Sequence, residues 1–320
     1  KGHENTQDYG NKIFNFSDKK VIKTLIKKNK NLNKKNNSFN VSLKKVFKNK
    51  NLKNFNYSGV SINTNNIKKN NLFFSIKGKR VDGHKFAHKA IKKGAIKVVV
   101  KRKINRLPNN KIIKVKRTLT TLNDLAVETR NNTNAKIIGI TGSAGKTTLK
   151  NLISFSLRNY GKTYHSPHSY NNKFGVPLSI SNLKSNNKYG VFEIGMDRKG
   201  EINILSQIVR PEIAVITNVS GAHFKNFKTL KDIAKAKSEI IDNISIGGSI
   251  VLNKEDQFYS FFTKKAKKKG VNIISFSSKK KANIFLLKVK KIKNIYRLSI
   301  IVNNDKFYFN IFHINENFLN

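Results

Sequence analysis

The segment KIIGITGSAGKTTLK, residues 136–150, constrains the chain more than any other. Lys136 to Thr141 form an apolar run short enough for one buried strand. Gly142, Ser143, Ala144 and Gly145 supply a turn, and Lys146, Thr147 and Thr148 open a helix. The first amides of a helix have no intrahelical partner, and the helix dipole favours an anion beside them. A lysine and hydroxyls at that point suit a triphosphate and its magnesium. The spacing departs from the strict G-x-x-x-x-G-K pattern, which wants glycine where Ile140 stands; the glycines here are Gly139, Gly142 and Gly145.

The surroundings extend the pattern. From residue 133 onward, strands expected at 136–141, 190–194 and 213–217 each run into a polar turn and then a helix, the second and third helices being 200–209 and 229–244. Alternating βα units predict a doubly wound parallel sheet with helices on both faces. The end of the chain, 271–312, reads instead as short strands in hairpins: NIISF, NIFLLKV, IYRLSIIV and KFYFNIF. Residues 41–132 form a small mixed domain, with strands at 71–76 and 96–100. Between them HKFAHKAIKKGA places Phe86, Ala87, Ala90 and Ile91 on one helical face, and Gly94 closes that helix in the left-handed region. Residues 1–40 are the least globular, with a short capped helix expected at 17–31 and a polar linker at 28–40.

Charge and composition set further bounds. Lys and Arg number 65 against 17 Asp and Glu, a net +48 and a pI near 10.4. Such a balance suggests a nucleic-acid binder. The lysines, however, are spread along the whole chain among Asn, Ile and Phe, residues whose codons are rich in A and T. Codon bias therefore competes with a selected polyanion surface, and the expected nucleic-acid binding is non-specific. Without cysteine there is no disulfide framework and no thiolate metal site. No apolar stretch reaches the length of a membrane span, so no membrane partner is expected and the expected location is cytoplasmic.

In open parallel sheets ligands bind beyond the carboxyl ends of the strands. The expected strands end in the glycine loop, in Glu193, and in Asn218 with His223 nearby. A phosphate cradle, a carboxylate and an imidazole thus fall on one edge. Taken singly, Glu193 is also readable as a strand-end carboxylate paired with a lysine, and His223 as an ordinary loop histidine.

Several separated segments, in order, carry a resemblance. GITGSAGKTT (139–148) resembles the ATP loop of the Mur ligases, which has the same departure from the ordinary pattern. SYNNKFGVPLSI (169–180) and the run FEIGMDRKGE to AKAKSEI (192–240) resemble the branch of that family that adds D-alanyl-D-alanine. Residues 61–95 are similar to the family's uridine-nucleotide-binding domain, although its usual Asp and Arg stand here as Asn63 and Asn65.

The resemblance implies a UDP-sugar-binding domain at 41–132 and a central ATP-binding domain at 133–320. It implies ATP-dependent amide bond formation through an acyl phosphate, with UDP-N-acetylmuramoyl tripeptide and D-alanyl-D-alanine as partners and ATP and Mg2+ as cofactors. Gly142 to Thr148 would bind ATP. Thr147, Glu193, His223 and a carbamylated Lys237 would hold magnesium, with Lys146, His223 and Lys237 catalytic. Thr64, Asp82, Gly83, His84, Asn171 and Asn172 would contact the substrate. His313 and Asn317 match the hinge before the family's third domain, which is expected to be missing. Residues 1–18 resemble the end of the Mur ligase that adds the third amino acid, so the expected parent is a fusion of consecutive enzymes. Two alternatives stay open: a Mur-type ligase adding a single amino acid, and a nucleic-acid-binding ATPase.

Overall fold

The computed structural model describes residues 41–48, 55–78, 80–221, 226–293 and 295–311. The expectations for residues 1–40, for His223 and for His313 and Asn317 lie outside the described residues.

The first unit opens with a short helix, α1 (Leu43–Val46), and contains four strands: β1 (Gly59–Ser61), β2 (Asn71–Phe74), β3 (Lys97–Val100) and β4 (Ile112–Lys114). They pair in sequence order, and every pairing is parallel. Side chains alternate across a strand, so β2 feeds two cores. Phe73 packs with Ala87 and Ala90 of α2 (Ala87–Lys92), whereas Leu72 and Phe74 pack with Leu122 and Leu125 of α3 (Thr118–Asn131). Gly94 closes α2 at φ +96° as expected. Phe86 departs from expectation. Residues 83–86 wind as a 3-10 turn ahead of the α-helix, which rotates Phe86 off the apolar stripe and leaves it 36% exposed.

The second unit carries β5 (Lys136–Thr141), α4 (Lys146–Arg158), β6 (Thr163–His165), α5 (Gly175–Ser181), β7 (Tyr189–Glu193), α6 (Glu201–Val209), β8 (Ile213–Ile216), α7 (Leu230–Ser238), β9 (Ser249–Asn253), α8 (Tyr259–Lys268) and β10 (Asn272–Ser277). Three longer strands, β11 (Ile284–Ile292), β12 (Ile295–Val302) and β13 (Asp305–Ile311), complete a nine-stranded sheet of order β13-β12-β11-β10-β9-β8-β5-β7-β6. β5 lies between β7 and β8, parallel to both. Ile138 and Ile140 face Leu149, Ile153 and Leu157 of α4 on one side. Ile137 faces the other, where α5, α6 and α7 pack. The doubly wound arrangement expected from the βα alternation is the one observed.

The hairpin reading of the last forty residues needs correction at its start. NIISF lies in β10, which runs parallel to β9 because α8 provides a crossover between them. Only β11, β12 and β13 are antiparallel, and the last turn passes through Asn303 and Asn304, both at positive φ.

The two units share α3. Its Leu122 and Leu125 belong to the first core and its Ala126 to the second. Arg130 then reaches the carbonyls of Val209 and Arg210 and pairs with Glu212 at 2.7 Å. The other carboxylate oxygen of Glu212 accepts from the amide of Ile137, the second residue of β5. Asn182 adds a second link, bonding both the N–H and the C=O of Val60 on the edge strand β1.

Candidate functional site

β5 delivers the glycine loop to the carboxyl edge of the large sheet. At Gly142 the backbone takes φ +148°, and a Cβ there would lie 1.8 Å from Thr217 Oγ1. Only glycine lets the loop and the segment after β8 approach so closely. That segment holds the loop in place. Ser143 N and Ala144 N donate to the backbone and side-chain oxygens of Asn218, and Thr217 Oγ1 donates to Ala144 O at 2.6 Å. Gly145, at φ +79°, turns the chain into α4.

Lys146, the first residue of α4, folds back over the loop, its ammonium donating to Gly142 O at 2.8 Å and Ser143 O at 3.3 Å. Burial lowers its pKa, and the nearby Glu193 carboxylate opposes that shift. Thr147 donates its hydroxyl to Glu193 Oε2 at 2.7 Å, and Asn171 Nδ2 donates to Oε1 of the same carboxylate at 2.7 Å. Glu193 is 1% exposed at the end of β7. Thr147 Oγ1 also lies 3.2 Å from Ser169 Oγ. Thr148 is exposed one position further along the helix.

Lys237 is buried on α7, and none of the five ion pairs among the described residues involves it. Burial, with a smaller contribution from Lys146, pushes its amine down to about 7. A substantial share of its amine is therefore neutral near pH 7, beside Lys146 and the glycine loop.

The remaining expected residues fall elsewhere. Asn172 is exposed, and its Oδ1 accepts the Phe174 and Gly175 amides at the start of α5. Thr64, Asp82, Gly83 and His84 follow β1 and β2, beyond the carboxyl edge of the small sheet. His84 is buried between Asp82 Oδ1, 2.7 Å from Nδ1, and the Lys101 amide, which donates to Nε2. That pattern assigns the ring proton to Nδ1. Hydrogen bonds from the backbone amide and ring of His84 hold the Asp82 carboxyl below the usual carboxylate range, aided by the charge of Arg102. Gly83 has no room for a side chain: a Cβ would lie 2.7 Å from the Ile76 backbone.

Sequence reasoning missed Ser166, Ser169, Thr217 and Lys150. The first two stand in SPHS (166–169), one residue before the asparagine pair, and Lys150 stands one helical turn after Lys146, so spacing alone offered a signal.

Comparison with known proteins decides the family. The Mur ligase middle domain matches residues 140–317, and the Mur ligase catalytic domain matches residues 56–130. The chain belongs to the Mur ligase family. Among Mur ligases it is similar to the UDP-N-acetylmuramoyl-tripeptide–D-alanyl-D-alanine ligase of Rickettsia prowazekii, 36% identical over 222 residues, or 69% of this chain and 49% of the relative. It is also similar in structure to MurF from Acinetobacter baumannii, with TM-score 0.76 and 25% identity over 87% of this chain and 60% of that one. MurF from Thermotoga maritima in complex with ADP gives TM-score 0.67 and 28% identity, covering 78% and 57% of the two chains. The chain spans about half the length of the curated relatives it matches.

For a Mur ligase the question of magnesium is one of donors. Thr147 and Glu193 offer a hydroxyl and a carboxylate 2.7 Å apart, hard oxygen ligands of the kind this cation takes. Among the described residues no three His, Cys, Asp or Glu side chains gather. So sparse a protein set suits a cation that keeps waters and takes most of its other ligands from phosphates.

Proposed function

We propose that this chain is the nucleotide- and substrate-binding part of an ATP-dependent amide ligase joining D-alanyl-D-alanine to UDP-N-acetylmuramoyl tripeptide. The observation that carries the reading is the continuous contact from the glycine loop through Thr147 to Glu193 and Asn171. In this reading the amides of Gly142–Thr148 and the Lys146 ammonium hold the β- and γ-phosphates of ATP. Thr147 and Glu193, with His223, hold magnesium, which supplies charge neutralisation as the peptide carboxylate approaches the γ-phosphate. Attack of the carboxylate on the γ-phosphate releases ADP and leaves an acyl phosphate, from which the amine of D-alanyl-D-alanine displaces inorganic phosphate to form the amide.

Lys237 enters as a carbamate. Its neutral amine attacks carbon dioxide, an N–C bond forms as one C=O π bond opens, and a proton leaves, so a buried amine becomes an anion that would suit magnesium. Residues 41–132 supply the UDP-sugar site and 133–320 the ATP site, in the cytoplasm, where ATP and the nucleotide precursor are made. Thr64 and Asp82–His84 belong to the first of these sites, with His84 and Asp82 holding its loop. His313 and Asn317 contribute at the hinge.

Support comes from the family membership, from relatives named for this reaction, and from the buried Lys237, whose pKa burial and Lys146 lower to about 7. The deciding experiment measures phosphate release from ATP with UDP-N-acetylmuramoyl tripeptide and, separately, with RNA and DNA. Stimulation by the tripeptide alone is expected. Stimulation by nucleic acid, with none from the tripeptide, would overturn the reading.

A further inference from the structure

Lys150 is as buried as Glu193, at 1% exposure, yet nothing in the phosphate-binding scheme uses it. Burying an ammonium is costly unless it is bonded and has an anion near it. Both conditions hold. Its Nζ donates to His168 O, and the charge of Glu193 acts on it, partly offsetting the effect of burial.

The carbonyl it grips belongs to a segment under constraint. His168 takes φ +45°, a conformation uncommon outside glycine. The chain around it is a run of tight turns, with Tyr170 N bonded to Pro167 O at 3.2 Å and Asn171 N to Ser169 O at 2.8 Å. On one side of His168, Ser166 Oγ accepts the Glu193 amide at 3.3 Å. On the other, Ser169 meets Thr147 and Asn171 meets Glu193.

Lys146, Thr147 and Lys150 lie within the first two turns of one rigid helix, so the 168 carbonyl is tied to the same frame as the phosphate lysine and the threonine hydroxyl. We propose that Lys150 is a positioning residue that fixes the 166–171 segment onto α4 and so sets Thr147, Glu193 and Asn171 in register for the metal-bound nucleotide. The inference rests on the proposed function, since it assigns that trio to magnesium. Lys146 is free to leave the loop carbonyls for a phosphate, whereas Lys150 stays as the fixed counter-charge of Glu193. Removing it should therefore harm the magnesium-dependent part of nucleotide binding and spare the part made by the glycine loop.

The test is equilibrium binding of ADP to the full 320-residue chain, with and without magnesium, for the unsubstituted protein and Lys150→Met. Methionine keeps the helix and the buried stem and removes only the ammonium. Affinity for ADP without magnesium should be unchanged, whereas the enhancement given by magnesium should fall about tenfold, the worth of one displaced charge-assisted contact. Lys150→Gln, milder toward the fold, should give the same split, with folding verified by an unchanged cooperative thermal transition. Full magnesium enhancement in a folded Lys150 variant, or an equal loss with and without the metal, would overturn the role of Lys150. No magnesium enhancement in the unsubstituted chain would instead overturn the reading of Thr147 and Glu193 on which it rests.

Discussion

Lys237 shows how burial changes the chemistry of a residue type that is otherwise everywhere on this surface. Its folded pKa, about 7, lies below the ordinary 10.5. Between those values the unfolded chain holds a proton that the folded chain has released, so stability rises with pH across the window. Below it, the cost of burying the ammonium is present in full. Lys237→Met should therefore melt above the unsubstituted chain at about pH 6.5 in carbon-dioxide-free buffer, and the gap should close toward about pH 10. Calorimetric scans at several pH values check this, and a gap independent of pH would contradict the assignment. In a sequence with 65 Lys and Arg such a lysine is anonymous by composition. Its register is the legible signal: Ile233, Lys237 and Ile241 follow one apolar stripe, and all three are buried. The hydroxyl and carboxylate of Thr147 and Glu193 were legible for a different reason, since strand ends in parallel sheets converge. What the sequence did not expose was the structural use of Asp82, His84 and Asn172, because their bonds are to backbone groups whose positions only the fold decides.

Among the elements, the turn between β5 and α4 separates two demands on glycine. Gly142→Ala meets both a left-handed φ and Thr217 Oγ1 at 1.8 Å, whereas Gly145→Ala at φ +79° meets nothing within 4 Å. Gly145→Ala should cost about 1 kcal/mol of stability, the strain of the backbone alone. Gly142→Ala should cost about 3 kcal/mol or more and weaken nucleotide binding, because the loop or the 217–220 segment must shift. Thr217→Ala should recover part of that loss in the double variant, and denaturant melts of the four proteins measure the coupling. Strict additivity would show that the two segments do not press on each other. This strand–turn–helix was the most legible element, since length, glycines and the helix start all agree. Helix α3 was not foreseen. Its four threonines have poor helix propensity, and Leu122, Leu125, Ala126 and Thr129 bury a stripe whose partners lie in two different sheets. Strand β10 was assigned to a hairpin because a short apolar run does not reveal its neighbour; α8, which makes the connection parallel, is lysine-rich and reads as surface.

For the molecule as a whole, α3 and the Arg130–Glu212 pair join the two sheets through buried contacts. Arg130→Met leaves Glu212 without its cation and strips the carbonyls of Val209 and Arg210 of their donor, which should cost about 3 kcal/mol. Arg130→Met with Glu212→Gln should cost less than the sum, and both sheets should still unfold in one transition when melts are followed by far-ultraviolet circular dichroism and by tyrosine fluorescence. Two separated transitions in the unsubstituted chain would show that the units are energetically independent. The edge that this frame supports holds a glycine loop, a hydroxyl–carboxylate pair and a buried lysine of lowered pKa together, and its use for ATP is the central claim. The most direct measurement is calorimetric titration of the magnesium complex of a non-hydrolysable ATP analogue into the chain and into Lys146→Ala. A single saturable site is expected, weakened about thirtyfold in the variant, as the loss of about 2 kcal/mol from one charge-assisted phosphate contact requires. Equal affinity in the two proteins would contradict it.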